Sequence, residues 1–300
     1  MKTSLAAVPY FWSKDQYQAF YADVTQTDID TVYLGETVCS KRRSMKLKDW
    51  LDVAETLTSS GKEVVLSTMT LLEAESELNY LRNLIKQSDL LIEANDMSAI
   101  QMAYEAKRPF AAGNPINIYN SQTLKRLHGL GMTRWNIPVE LGQEDIVPIV
   151  PTAKELNIEL EYQIFGRMPL AYSARCFTAR HHGLPKDNCQ FKCSEDIEGI
   201  LVNTRESDSF AQINGIQTQS AKVTHLLDHW QRLHQSGIDI ARIVPVTPET
   251  TLEVIRSLTQ AIRQNSKETG FEDTGSGKTN REYCNGYWFQ LAGLELVDAT

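Results

Sequence analysis

The sequence predicts a (β/α)8 barrel as the fold class. Short apolar runs rich in β-branched residues recur eight times along the chain, and segments with helical periodicity lie between them. No G-x-G-x-x-G motif follows an early strand. Its absence disfavours the dinucleotide-binding form of the open doubly wound sheet, which also alternates strands with helices. We therefore expect a single barrel domain over residues 1–300.

The elements follow one another in a regular order. The predicted strands cover residues 4–9, 31–34, 63–68, 90–93, 110–112, 135–139, 159–164 and 240–246. Their continuous apolar character is typical of strands that are buried on both faces. The predicted helices cover residues 16–24, 47–57, 71–85, 97–106, 121–130, 144–156, 223–234 and 250–262. In helix 47–57 the apolar residues recur every three or four positions and form one stripe, as a helix that packs on a sheet requires.

Two intervals interrupt this alternation. Residues 175–221 follow the seventh strand and are far longer than an ordinary βα loop. They contain three of the five cysteines, and strand-like pieces at 200–203 and 210–213 predict a hairpin. Residues 265–282 are rich in Ser, Thr, Gly and charged residues, which predicts a mobile loop.

Composition restricts the class of protein. With 42% hydrophobic residues and a net charge of −8, the chain is expected to be globular rather than disordered. The acidic balance argues against a nucleic-acid partner. No stretch approaches the roughly 18 apolar residues that a transmembrane segment needs. The apolar run at 5–12 contains Pro9 and meets Lys14 and Asp15 without a cleavage site, so we interpret it as a buried strand and not as a signal peptide.

The cysteines are the strongest candidates for a site. An odd number of cysteines in a chain of this length favours a reducing compartment, and we expect the cytoplasm. Cys39 follows the second predicted strand, Cys176 opens the 175–221 insertion, and Cys189 and Cys193 form a C-x3-C pair inside it. Since functional residues of such barrels gather at the carboxyl ends of the strands, we expect all four sulfurs on one rim. Four thiolates can hold a structural zinc ion or a [4Fe–4S] cluster.

Two features favour the iron–sulfur cluster over zinc. Zinc ribbons usually offer two tight pairs of cysteines, whereas this chain has one pair and two distant single cysteines. Basic residues flank the single cysteines and would offset the negative charge of a cluster, although at least half of them are expected on the solvated surface. They are Lys41, Arg42, Arg43, Arg175 and Arg180. For Cys39 taken alone, a small buried side chain remains the alternative.

Other candidates are weaker. The carboxylates Glu36, Glu93, Asp96 and Glu140 lie at strand ends, where acid–base, binding and capping roles are all common. Asp96 precedes a helix and could cap it, and Glu36 and Glu140 are the better functional candidates. His181 and His182 are expected on the surface because adjacent histidines do not easily point to one centre. No G-x-S-x-G, H-E-x-x-H or P-loop motif occurs, so the sequence identifies no catalytic residue.

Several segments carry a family resemblance over essentially the whole chain. They are GETVCSKRR at 35–43, LAYSARCFTAR at 170–180, NGIQT at 214–218, CNGYW at 284–288 and LAGLE at 291–295. The chain resembles the U32 peptidase-like family, and within it the members that serve oxygen-independent ubiquinone biosynthesis.

The resemblance implies a heterodimer with the paralogue UbiU in which each subunit carries a [4Fe–4S] cluster. Together the two would support ring hydroxylation of a ubiquinone precursor without O2, with prephenate as oxygen source and the lipid-carrier-like protein UbiT as an associate. Carried onto this chain, the cluster ligands are Cys39, Cys176, Cys189 and Cys193, and Cys284 is a packed thiol or one that faces a lid. A non-catalytic scaffold or electron-relay role beside UbiU is the main alternative, and a peptidase ranks last.

Overall fold

The computed structural model describes residues 1–272 and 281–298. Its strands are β1 (Lys2–Leu5), β2 (Thr31–Leu34), β3 (Glu63–Ser67), β4 (Leu91–Ala94), β5 (Phe110–Ala112), β6 (Met132–Asn136), β7 (Glu159–Tyr172), β8 (Ile200–Asn203), β9 (Ser209–Asn214), β10 (Gln217–His225), β11 (Ile240–Ile243) and β12 (Tyr283–Cys284). Strands β1 to β7 pair in order and in parallel, and β11 pairs with both β7 and β1. These eight strands close into a parallel barrel, which confirms the predicted fold class.

Helices surround the barrel. They are α1 (Lys14–Thr25), α2 (Leu47–Ser59), α3 (Glu75–Gln87), α4 (Met97–Glu105), α5 (Ser121–His128), α6 (Gln143–Ile146), α7 (Val150–Glu155), α8 (Phe177–His181), α9 (Trp230–Gln235) and α10 (Pro248–Gln264). Polar residues cap several of them, as when Ser13 forms a capping box with Gln16 at the start of α1. Within the described ranges, no helix is both long and apolar enough to cross a membrane.

Two predicted helices differ from the structure. The prediction of one continuous helix over 144–156 is wrong. The segment forms two short helices, α6 and α7, on either side of Pro148. Proline lacks the N–H that a helix interior needs, so the helix is interrupted there. The prediction for 223–234 is wrong at its start. Residues 223–225 belong to β10, which is paired with β7 on one side and β12 on the other, so cross-strand pairing overrides the local pattern. The helix begins only at Trp230.

The 175–221 insertion builds a small sheet on top of the barrel. The predicted hairpin is confirmed, since β8 and β9 pair antiparallel, and β10 adds to β9. Strand β7 continues beyond the barrel to pair with β10. Gly166 lies where β7 leaves the barrel, at a φ of +107°. A Cβ there would lie 2.4 Å from the carbonyl oxygen of Val244, so the position requires glycine.

Part of the predicted mobile loop at 265–282 is described. The indole of Trp230 donates a hydrogen bond to the carbonyl of Ser266, and Thr269 donates to the carboxylate of Asp228. The ring of Phe271 packs 5.6 Å from that of Phe165. Residues 273–280 lie outside the described residues, so the mobility of this loop stays a prediction.

The main apolar core lies between the barrel and its helices, and the barrel interior is polar. Along β2 and β3, Val32, Leu34 and Val64 face the helices, whereas Tyr33 and Val65 belong to a separate small cluster. Four charged side chains, those of Glu93, Arg134, Glu161 and Arg242, are also buried on the barrel strands. A barrel interior is usually filled by branched apolar side chains, so this one is unusual in holding charge.

Candidate functional site

Four cysteines meet at one end of the barrel. Cys39 lies on the loop after β2, Cys176 precedes α8, and Cys189 and Cys193 belong to two short turns of the insertion. All four line one small cavity of about 20 Å³. Each is a free thiol with intermediate exposure. The prediction that Cys39 and the insertion share one rim is therefore confirmed.

Local hydrogen bonds position two of these thiols. The Glu36 carboxylate accepts the backbone N–H groups of Val38, at 2.8 Å, and Cys39, at 3.0 Å, and so fixes the turn after β2. Burial raises the pKa of this carboxyl, and the positive charge of Arg42 opposes the rise. At the other loop, the Cys176 sulfur accepts the N–H of Ala179 at 3.4 Å and caps α8.

Arg42 is the buried cation of the cysteine cavity. Its side chain lines the cavity and is only 5% exposed. The guanidinium donates to the carbonyl of Pro9 at 2.8 Å and to the side-chain oxygen of Asn214 at 2.7 Å. Burial raises the pKa of the Cys193 thiol, and Arg42 counteracts that effect. Its neighbour Arg43 is exposed, as expected for part of the flanking basic set.

The cysteines fit a thiolate-bound group in their number, their chemistry and their common cavity. Among residues 1–272 and 281–298, however, no three or more His, Cys, Asp or Glu side chains are arranged as a ready metal site. Cys284 is separate from this set. It is fully buried, packs against Val139 and Met168, and has its pKa raised to about 11, chiefly by burial.

Three of the predicted carboxylates line a second cavity, Asp96 and Glu140 in its outer part and Glu93 in its inner part. Glu93 lies inside the barrel, and Asp96 caps α4 by accepting the N–H of Ser98 at 2.7 Å. Glu140 accepts a hydrogen bond from the hydroxyl of Tyr119 at the edge of this cavity. His181 and His182 are both exposed, as expected.

The second cavity occupies the mouth of the barrel, and the sequence identified three of its carboxylates but none of its amide side chains. Its inner part has a volume of about 60 Å³ and its outer part about 530 Å³. The two parts share the lining residues Thr70, Asn95, Asn114, Pro115, Pro169 and Tyr172. Side-chain amides dominate the inner wall, to which Asn136, Gln163, Gln217 and Gln219 also contribute. The sequence signal that could have indicated these amides is the polar residue that stands at the end of several successive strands.

An ion-pair network forms the floor of this mouth cavity. Arg242 lies 2.7 Å from one oxygen of Glu93 and 3.3 Å from Glu161. The hydroxyl of Tyr33 donates to Glu161 at 2.6 Å, and Ser4 donates to the same carboxylate. The floor is thus held by paired charges on three strands, β4, β7 and β11, and by hydroxyl groups on β1 and β2.

A chain of side-chain amides joins the two cavities. Asn214, which accepts from Arg42, donates to the side-chain oxygen of Gln217 at 3.0 Å. Gln217 in turn donates to the hydroxyl of Tyr172 at 2.8 Å, and Gln219 donates to Gln217 at 3.0 Å. Gln217, Gln219 and Tyr172 line the mouth cavity, so hydrogen bonds connect it with Arg42 at the cysteine cavity.

The family model of peptidase family U32 matches residues 17–297. This chain belongs to peptidase family U32. Solved structures also resemble this U32 member. The ribulose-1,5-bisphosphate carboxylase/oxygenase of Pyrococcus horikoshii is 11% identical, with 88% of this chain and 60% of that one covered and a TM-score of 0.49.

Two further structures are similar at the same low level. The DAHP synthase of Thermotoga maritima is 13% identical, with coverage of 88% and 68% and a TM-score of 0.42. An enolase from Agrobacterium radiobacter described as a putative galactarate dehydratase is 13% identical, with coverage of 54% and 44% and a TM-score of 0.36. The U32 chain therefore spans 44% of the enolase and 60% of the carboxylase.

Proposed function

We propose that this U32 member serves as the UbiV-type iron–sulfur subunit, which acts with its paralogue UbiU in the O2-independent ring hydroxylation of ubiquinone biosynthesis. The observation that carries the proposal is the convergence of four cysteines from two loops on one cavity. Cys39, Cys176, Cys189 and Cys193 would hold a [4Fe–4S] cluster. When bound, such a cluster supplies one-electron transfer.

The charge around the cavity supports a thiolate-bound group. A cluster held by four thiolates carries net negative charge, which is costly to bury without a nearby cation. Arg42 is buried at the cavity and donates its hydrogen bonds to a carbonyl and an amide oxygen. Its positive charge acts on the thiol of Cys193 as well as on the carboxyl of Glu36.

The partners in this proposal come from the family resemblance. They are UbiU in a heterodimer, UbiT as a lipid-carrier-like associate, and a ubiquinone precursor and prephenate as small molecules, in the cytoplasm. A scaffold or electron-relay role beside UbiU would use the same four cysteines. Reconstituted heterodimers that carry Cys39→Ala, or the equivalent change in UbiU, would separate the roles. Hydroxylation that survives loss of the cluster in this subunit alone would assign it the scaffold role.

Anaerobic purification and metal analysis test the cluster. Each of Cys39→Ala, Cys176→Ala, Cys189→Ala and Cys193→Ala should lose iron and the broad visible absorption, because a cluster site needs all its ligands. Cys284→Ala is the matched control and should retain both, since this thiol packs elsewhere. Zinc in place of iron in the wild-type protein would overturn the iron–sulfur assignment. Loss of iron in Cys284→Ala would show that the ligand set is wrong.

Quinone analysis tests the pathway. Deletion of the gene should leave ubiquinone unchanged in aerobic cells and abolish it in anaerobic cells. Restoration by the wild-type gene, but not by the Cys176→Ala form, would connect the phenotype with the cysteine cavity. Normal anaerobic ubiquinone in the deletion strain would contradict the proposal.

A further inference from the structure

A further cavity, of about 500 Å³, lies outside the barrel between α2 and α3. Helices α1 and α2 pack closely on each other, as do α3 and α4, whereas α2 and α3 make few contacts, and the cavity fills the gap between them. Among the described residues it shares no lining residue with the mouth cavity and only Arg42 with the cysteine cavity. Its volume falls within the range of roughly 300–1,000 Å³ that is typical of small-molecule sites.

The wall of this α2–α3 cavity is mostly apolar. Burial of its hydroxyl raises the pKa of Tyr80 to about 12, although the ring of this residue is 41% exposed at the open side. The methionines of the wall are flexible and adapt to apolar ligands of irregular shape. The main apolar lining consists of Met45, Trp50, Met69, Leu72, Leu81 and Leu84.

The charged groups around the cavity favour an uncharged ligand. The carboxylates of Glu36 and Glu77 each accept two backbone N–H groups. The guanidinium of Arg42 donates to two neutral oxygens of the protein. Arg43 and Lys46 are exposed, so water screens their charges. A ligand is therefore not needed as a counter-ion, and a buried charge on it would be costly.

The shape of the cavity favours a chain over a single ring. Its lining residues on α3 run along one helix face from Ser76 to Gln87, which is about 16 Å at the helical rise of 1.5 Å per residue. Helix α3 begins at the carboxyl-terminal rim of the barrel, where Ser40 and Arg42 on the loop of Cys39 also line the cavity. The cavity thus extends from the cysteine rim down the side of the barrel.

We propose that the α2–α3 cavity binds the uncharged hydrocarbon chain of a lipid, prenyl or acyl, with one end of the chain beside the loop of Cys39. The driving force is the removal of the chain and of the apolar wall from water. The proposed function leaves lipid carriage to UbiT and gives this chain no site for a hydrocarbon, so the inference goes beyond it.

A series of alcohols tests the site, because its members differ in chain length and not in charge. Diphenylhexatriene, a neutral rod-shaped dye that fluoresces in apolar surroundings, should bind to the full chain and be displaced by octanol and dodecanol. Dodecanol should bind at least about tenfold more tightly than octanol, since each buried methylene strengthens binding about three- to fourfold. Butanol should not displace the dye. Displacement that does not depend on chain length would overturn the proposal.

Farnesol distinguishes the two sources of the chain. Tighter binding of farnesol than of dodecanol would identify a prenyl chain, and the reverse order would identify an acyl chain. Failure of both alcohols to displace the dye would contradict a hydrocarbon site.

Two methionines provide a matched pair of variants. Met69→Lys places a charged amine against the chain and should weaken dodecanol about tenfold or more. Met97→Lys, the same substitution at the outer part of the mouth cavity, should leave dodecanol binding unchanged. Unchanged binding in Met69→Lys, or an equal loss in Met97→Lys, would show that the chain does not bind between α2 and α3.

A second variant covers the case in which Met69→Lys fails to fold. Leu72→Trp fills part of the cavity without adding charge, and Leu72 is only partly buried, so the variant should fold and bind dodecanol at least about tenfold more weakly. Wild-type affinity in folded Leu72→Trp, as judged by circular dichroism, would overturn the site. Cys189→Ala protein without iron should still bind dodecanol, because Cys189 does not line this cavity, so the inference and the proposed function can fail separately.

Discussion

The barrel interior and its carboxyl-terminal rim both bury arginines, but they give them different partners. In the interior, Arg242 meets the carboxylates of Glu93 and Glu161. At the rim, Arg42 and Arg167 donate hydrogen bonds to neutral oxygens. The interior arginine thus lies at ion-pair distance from carboxylates, whereas the hydrogen bonds of the rim arginines go to neutral groups. The comparison separates buried arginines that are held by ion pairs from buried arginines that are held by hydrogen bonds alone.

The largest effect is expected when an interior pair is broken. Glu161→Ala removes the partner of Arg242, Tyr33 and Ser4 from a fully buried position. Because an uncompensated charge then remains inside the barrel, the free energy of unfolding should fall by about 3–5 kcal/mol. Urea denaturation followed by circular dichroism measures this loss. Where Glu161→Ala does not fold at all, the milder Glu161→Gln should still fold and be destabilised.

A surface ion pair is the control for that prediction. Arg82 and Glu75 lie 2.7 Å apart with side chains 43% and 68% exposed. Since water screens such pairs, Glu75→Ala should change the free energy of unfolding by no more than about 1 kcal/mol. Equal losses for the buried and the exposed pair would remove the distinction between interior and surface.

A smaller effect is expected at the rim, where two neighbouring arginines can be compared. Arg42→Gln loses charged hydrogen bonds to Pro9 and Asn214 and should cost about 1.5–3 kcal/mol of unfolding free energy. Arg43→Gln, at the exposed neighbour, should stay within about 0.5 kcal/mol of wild type. The same denaturation assay measures both variants. A larger loss of unfolding free energy for Arg43→Gln than for Arg42→Gln would show that Arg42 is not the structurally important cation.

The smallest effect concerns the outer edge of the interior network. Burial would raise the pKa of Glu159, but hydrogen bonds and charges from Lys2 and Arg134 outweigh it, and the pKa is lowered. A carboxyl with a lowered pKa in the folded state stabilises the protein above its ordinary pKa of about 4.3, and the stabilisation is lost as pH falls through the lowered value.

Glu159→Gln should therefore be less stable than wild type at neutral pH by about 1 kcal/mol or less, because Glu159 is partly exposed. The difference should vanish in acid. Paired denaturation curves of the two proteins across this pH range check the sign. A difference that grows as pH falls would contradict it.

The fold was predictable because its signal is local and repeated. Runs of apolar residues identified the barrel strands, although the predictions for β1 and β6 start two and three residues too late. The carboxyl-terminal part of β10 was not predicted, since Val223 and Thr224 are held in a strand by partners far away in the chain, Arg167, Gly166 and residues of β12.

The site was predictable only in part, for a related reason. Cysteines stand out by residue type, so the rim cluster could be named from sequence. The mouth cavity consists of common residues such as Asn136, Gln163 and Arg167, which become a site only where the barrel brings their strands together. In β7, Glu161 and Gln163 alternate with Tyr162 and Ile164, and this alternation of polar and apolar residues was the available signal for a polar interior.

The amide chain between the two cavities has a direction. Arg42 can only donate, so Asn214 must present its oxygen to Arg42 and its amide hydrogens to Gln217. Gln217 must then donate to the oxygen of Tyr172, and the hydroxyl proton of Tyr172 is left to point to another acceptor. Tyr172 lines both parts of the mouth cavity. A fixed positive charge beside the cysteines thereby orients a hydrogen-bond donor in the mouth of the barrel.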